Sequence, residues 1–210
     1  MVIDGQPRPG KYGGIVYENR AFSPDGKRLA YEVFVGTDGR DGSMVVLDDQ
    51  PGQVYDSIPT FGLLFSPDGQ QFAHQARIKD QEGKYFYVCV LNGKPGPPYN
   101  MLWNMCFSPD SKHFAYTATK WDLPHPDSEF LIKNGEPRSI PGRIFRMTFS
   151  PDSKHLACLA RTGRSFTVIL NDQQGPEFDF IHWPKEIFQN DHISYLAVRN
   201  NIIYRVKQGI

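Results

Sequence analysis

The chain has 210 residues, with 23 basic and 23 acidic side chains. This balance gives no electrostatic case for nucleic acid and leaves no like-charge tail. Its three cysteines, Cys89, Cys106 and Cys158, are odd in number and lack paired spacing, which argues against a disulfide framework and predicts buried, reduced thiols. No stretch reaches the ~18 consecutive apolar residues that would span a bilayer.

In chain order, the first predicted element is residues 6–15, QPRPGKYGGI, a proline-bearing outer strand. An inner strand follows over 15–22, ending in Phe22-Ser23-Pro24-Asp25. The Phe-Ser-Pro-Asp motif recurs at Phe65, Phe107 and Phe149, so successive copies lie 43, 42 and 42 residues apart. Each copy opens a longer match: FSPDGKRLAYEV, FSPDGQQFAHQA, FSPDSKHFAYTA and FSPDSKHLACLA. The pattern reads as inner strand, tight turn, then an alternating strand. In the third repeat, NGKPGPPYNML gives an outer strand, LWNMCF an inner one, HFAYTAT the next and SEFLIKN the last. A fifth, degenerate copy is IFQNDHISYLAVRNN, in which Phe188, Asp191 and Ala197 stand where Phe149, Asp152 and Ala157 do. The last element is a strand over 202–208, IIYRVKQ.

A period of about 42 residues, rich in short strands, is the signature of β-propeller blades. Five periods fill the chain, at approximately 3–47, 48–91, 92–133, 134–171 and 172–210. The expectation is one all-β domain over 1–210: a five-bladed propeller of four-stranded antiparallel blades. The phase adds a further expectation. The segment Gly5–Ile15 is a spare outer strand, the last blade lacks one, and pairing it with Ile202–Lys207 would close the ring.

The turn has its own chemistry. Pro24 presets a type I turn, Asp25 accepts backbone amides, and Gly26 takes the left-handed conformation. Gly69 repeats this, whereas Ser111 and Ser153 replace the glycine at a cost of roughly 1 kcal/mol if the positive angle is kept. Asp25, Asp68, Asp110 and Asp152 are accordingly read as turn formers with no catalytic part. The constant Ala30, Ala73, Ala115 and Ala157 let the next blade approach. Tyr12, Tyr55, Tyr99 and Phe178 are read as edge-strand packing. His113 and His155, equivalent in adjacent hairpins, are expected to be solvated.

Function is less legible. The connections after the second strand of each repeat vary: VFVGTDGRDGS, ARIKDQEGK, TKWDLPHPDSE and ARTGRS. Variable loops on constant turns describe a scaffold carrying individual contacts. The richest loop offers Trp121, Asp122, His125, Asp127 and Glu129 as candidate binding residues. Its spacing matches no metal-ligand pattern. Further candidates on the inner strands are Asn19, Trp103, Asn104 and Arg146. Glu18 is the clear inner acid and Glu186 lies at a strand entrance, which is no convincing pair for glycoside hydrolysis. No catalytic or metal residue and no cofactor is assigned.

The FSPDGKRLAY core resembles the WD-repeat-like blades of the TolB-like propeller family, and the V-[IL]-[DN]-[DG]-x-P-G-x-x-Y pattern is similar to bacterial hairpin repeats. The resemblance covers essentially the whole chain and is weakest after Gln174. It implies a binding platform; such propellers are typically six-bladed and periplasmic, so this chain departs in blade number. The expected function is a non-enzymatic scaffold, a monomer, that presents its loops and channel mouth to a protein or peptide. A small-ligand or carbohydrate-binding propeller is the alternative, and a hydrolase a more distant one. No nucleic acid and no membrane insertion are expected. The start of the chain has no signal peptide, which points to the cytoplasm, or to the periplasm if the sequence is trimmed.

Overall fold

A computed structural model describes residues 2–3, 6–7, 12–36, 41–60, 62–120, 129–140 and 142–210, with no side-chain description for 2–3 and 6–7. Among these residues every regular element is a strand. The chain packs as two compact units, Met1–Leu102 and Trp103–Ile210.

The first unit holds a two-stranded sheet, β1 (Val2–Ile3) with β2 (Gln6–Pro7), and two four-stranded meanders. The first meander is β3 (Gly14–Phe22), β4 (Leu29–Phe34), β5 (Ser43–Leu47) and β6 (Gln50–Tyr55). The second is β7 (Leu63–Phe65), β8 (Phe72–Lys79), β9 (Tyr85–Leu91) and β10 (Lys94–Pro95). Next comes β11 (Met101–Phe107), which continues into β12 (Phe114–Thr119), β13 (Glu129–Lys133) and β14 (Glu136–Ile140). In the second unit β15 (Arg143–Phe149), β16 (Leu156–Thr162), β17 (Ser165–Leu170) and β18 (Gln173–Gln174) form another meander. A three-stranded sheet ends the chain: β19 (Phe180–His182), β20 (His192–Arg199) and β21 (Ile202–Gly209).

The five sheets follow the sequence repeat, and the phase is as expected. The strands preceding the second, third and fourth Phe-Ser-Pro-Asp strands, β6, β10 and β14, each close the sheet before them. These last strands are exposed, and Pro51, Pro95 and Pro137 lie on them, because a residue without an N–H is tolerated at a sheet edge.

The expected pairing of the N-terminal segment with Ile202–Lys207 is absent among the described residues. Gln6–Pro7 pair with Val2–Ile3, Gly14 and Ile15 pair with Phe34 and Val33, and β21 pairs with β20. Gly5 and residues 8–11 lie outside the described set.

Within each unit the core lies between successive sheets. In the first, Ala30 and Val45 pack with Phe65, Phe72, Ala76, Val88 and Val90. In the second, β16 is buried on both faces, with Cys158 and Ala160 in one cluster and Ala157 and Leu159 in the next. Such strands read as continuous apolar runs rather than alternating ones. The constant alanines are fully buried, Ala30, Ala73, Ala115 and Ala157 each at 0% exposure; there a larger side chain would have no room. Cys89 and Cys158 are buried, Cys106 is half-buried, and all three are free thiols. Burial pushes the Cys89 and Cys106 thiols up to about 12, so they are protonated and act as small apolar groups.

Candidate functional site

The four Ser-Pro-Asp turns set the frame. In all four, the buried serine hydroxyl donates to the aspartate two residues on: Ser23 to Asp25 at 2.6 Å, Ser66 to Asp68 at 2.6 Å, Ser108 to Asp110 at 2.6 Å and Ser150 to Asp152 at 2.5 Å. The same hydroxyl accepts the amide five residues on, from Arg28, Gln71, His113 and His155. The second Asp Oδ1 contact is an amide at 2.9–3.2 Å, from Lys27, Gln70, Lys112 and Lys154. The serine hydroxyl, then the backbone amide, holds the carboxyls of Asp25, Asp110 and Asp152 below their ordinary value. They are turn formers.

The glycine-to-serine exchange keeps the strained angle: φ is 71° at Gly26 and 70° at Gly69, and 63° at Ser111 and 65° at Ser153. Ser153 offsets this strain in part, since its hydroxyl accepts the Asp110 amide at 2.9 Å from the neighbouring turn. A second hairpin also recurs. Its first residue has positive φ and its side-chain oxygen accepts an amide from the second strand: Asp48 from Leu29, Asn92 from Phe72, Asn134 from Phe114 and Asn171 from Leu156. Positive φ at both central residues is the type I′ hairpin, which Asn and Asp accept more readily than other residues.

His113 and His155 are not solvated as expected. Each is half-buried and hydrogen-bonded to this hairpin asparagine, Asn134 at 2.9 Å and Asn171 at 2.6 Å. His113 also stacks on Phe149.

The candidate loop residues Trp121, Asp122, His125 and Asp127 lie outside the described residues. Glu129 opens β13 and is 1% exposed. Its Oε2 accepts the Ile144 amide at 3.0 Å and the Trp103 indole N–H at 3.4 Å. Among the described residues its Oε1 is buried with no hydrogen-bond donor, and the Arg143 guanidinium lies 3.9 Å away. Burial raises the Glu129 carboxyl above its ordinary value, against the opposing pull of the Ile144 amide, Trp103 and Arg143.

Asn104, at φ 54°, donates to Thr117 Oγ1 at 3.2 Å and to the Ile144 carbonyl at 3.0 Å. Asn19 is its counterpart three residues before the first motif. It donates to Glu32 Oε2 at 2.7 Å and to the Pro59 carbonyl at 3.2 Å. Both amides therefore tie a first strand to the segment that enters the following sheet. They are buried or half-buried braces rather than groups presented to a ligand. Arg146 is exposed just past a register shift between Ile144 and Arg146. Glu18 and Glu186 are exposed, and among the described residues the buried acids are Glu32 and Glu129.

The structure thus brings Trp103, Asn104 and Glu129 together in the second unit and leaves Asn19 in the first. It also adds groups that the sequence reading missed. Arg143 lies over the Trp103 ring at 5.0 Å and over Phe145 at 5.6 Å. Phe145 faces Phe166 at 6.1 Å, and Phe166 faces Phe180 at 6.3 Å. Arg161 lies over Phe166 at 5.7 Å. Trp103, Phe145, Phe166 and Phe180 form a row across β11, β15, β17 and β19, in which Phe145 is 44% and Phe180 55% exposed. One signal was available: Trp103 and Phe145 each stand four residues before a motif phenylalanine.

Among the described residues no group of three His, Cys, Asp or Glu side chains is placed to hold a metal.

No family model matches this chain, and no curated protein matches it. Among solved structures it is similar to TolB from Acinetobacter baumannii, at 16% identity and TM-score 0.43, over 93% of this chain and 55% of that one. It is also similar to the tricorn protease, at 12% identity and TM-score 0.49, over 92% of this chain and 25% of that one. A third is the acylaminoacyl peptidase of Pyrococcus horikoshii, at 10% identity and TM-score 0.36, over 67% of this chain and 31% of that one. The chain spans about half of TolB (55%) and a quarter of the tricorn protease (25%).

Proposed function

We propose that this protein is a non-catalytic binding scaffold for a protein or peptide. The observation that carries the reading is the row of Trp103, Phe145, Phe166 and Phe180, in which Phe145 and Phe180 are exposed and Trp103 and Phe166 half-buried, set among guanidinium groups. Tryptophan, other aromatic residues and arginine are enriched in binding surfaces, and tryptophan and arginine dominate their energetics. Trp103, Phe145 and Phe166 stand on sheets whose turns repeat bond for bond, so the frame is uniform there and the decoration is local. That is the division expected of a scaffold.

The same proposal takes the five sheets as blades of one five-bladed, monomeric propeller domain, closed by the N-terminal segment beside β21. Support comes from the 42-residue period, from the three-stranded last sheet and from the outer-strand pattern of residues 6–15. Peptide display against the immobilised chain, with a glycan array in parallel, tests the binding reading. Linear peptides should be enriched, and enrichment should vanish on a Phe145→Ala/Phe180→Ala chain. Glycan binding lost on the same chain would favour the carbohydrate alternative and overturn this one.

A further inference from the structure

We infer that the aromatic row takes an extended acidic segment, with one carboxylate seated between Arg143 and Arg161 and neighbouring apolar side chains laid on Phe145, Phe166 and Phe180. The inference rests on the scaffold reading and names the chemistry of its partner.

Arg143 and Arg161 are direct partners in the antiparallel ladder of β15 and β16. Like charges placed opposite each other destabilise a ladder, and both residues are exposed. Among the described residues no acid relieves the pair by a hydrogen bond. Arg143 comes within 3.9 Å of Glu129, too far for one, and Arg161 Nε donates to the Gly163 carbonyl at 2.9 Å. The rings hold both guanidinium groups instead, Arg143 on Trp103 and Phe145 and Arg161 on Phe166. Stacking fixes the plane of a guanidinium while leaving its N–H edges able to donate, the arrangement that suits two-pronged carboxylate recognition. Two opposed guanidinium groups on fixed rings therefore favour an anion between them, which would relieve their repulsion.

The flanking rings decide the rest of the ligand. An isolated carboxylate leaves Phe145 and Phe180 in water, whereas a segment with alternating acidic and apolar side chains covers them. A chain in extended conformation presents alternate side chains to one face. A nucleic acid strand fits less well: its phosphates need several cations in series, and this chain has no net charge.

The test is fluorescence anisotropy with short labelled peptides of alternating Glu and Leu, Gln and Leu, or Lys and Leu, and with an oligothymidylate. The Glu peptide should bind the wild-type chain most tightly. An Arg143→Gln/Arg161→Gln chain, checked for unchanged melting, should bind it roughly tenfold or more weakly. Raised salt should weaken the Glu peptide and spare the Gln peptide. Equal affinity for the Glu and Gln peptides, or no effect of the double substitution, overturns the acidic partner while the scaffold reading stands. Tighter binding of the oligothymidylate overturns it in favour of nucleic acid. If no probe binds, both the inference and the peptide-scaffold reading fall.

Discussion

The four Ser-Pro-Asp turns and the row of rings from Trp103 to Phe180 are built on opposite principles. Each turn repeats the same serine–aspartate–amide pattern within a few tenths of an ångström. Its polar groups satisfy one another, so little is left to offer a partner. The row repeats no such pattern. Its rings are large, with Phe145 and Phe180 exposed, and Arg143 and Arg161 lie over Phe145 and Phe166 side by side with like charge. A satisfied polar network stabilises a fold, whereas exposed rings and unsatisfied charge are what a ligand can improve. The contrast predicts that substitutions in the frame cost stability and substitutions in the row cost binding.

The largest effect should come from the frame's packing. Ala115 has no exposure and sits between sheets, so Ala115→Leu should lower unfolding free energy by about 1–3 kcal/mol through overpacking. A urea midpoint that does not move would mean the alanine positions are not tight. Next, Ser108→Ala removes a buried hydroxyl that serves both Asp110 and the His113 amide. It should cost about 1–2 kcal/mol. Phe145→Ala, on the exposed row, should stay within about 0.5 kcal/mol of wild type. If these two costs were equal, the division between frame and row would fail.

Two buried groups, His74 in the first unit and Glu129 in the second, should respond to pH in opposite directions. Burial lowers the pKa of His74, despite its bond to the Gln75 carbonyl. Its contribution is present above the unfolded value near 6.5 and is lost as pH falls toward the depressed folded value. Burial raises the pKa of Glu129, so its contribution is present at acid pH and is lost as pH rises through the raised folded value. Melting measured against pH should therefore lose part of its acid-side slope in His74→Tyr, which restores the residue that Tyr31 and Tyr116 provide in equivalent places. Glu129→Gln should remove the opposite slope. A profile unchanged by either substitution would place both groups in contact with water.

The smallest effect is the most specific. Ser153→Gly relieves a φ of 65° but removes the acceptor for the Asp110 amide. Relief and loss are each about 1 kcal/mol, so the net change should be near zero. Ser153→Ala keeps the strain and loses the acceptor, and should be the less stable of the two. Thermal melts of the pair would check this order, and the reverse order would remove the hydroxyl's role.

The repeat, the strands, the turn chemistry and the burial of the alanines and thiols were legible in the sequence. Each depends on residues within one period: a proline that fixes φ, an aspartate that reaches two residues on, an alternation that selects a face. The candidate site was legible only in part. Trp103, Asn104 and Glu129 could be named because their residue types suggest contacts, yet Asn104 proved a brace and Glu129 a buried acid. Arg143, Phe145, Phe166 and Phe180 went unnamed, since nothing local marks a ring as exposed. Whether a phenylalanine ends in a core or on a surface is set by which sheet packs against it. Whether two arginines repel is set by ladder register, which brings residues 18 apart into direct opposition. Local sequence therefore determined the repeated frame, through short-range sterics and hydrogen bonds. Tertiary structure decided the row and its charge, because cross-strand pairing and packing between sheets set which side chains meet and which stay exposed.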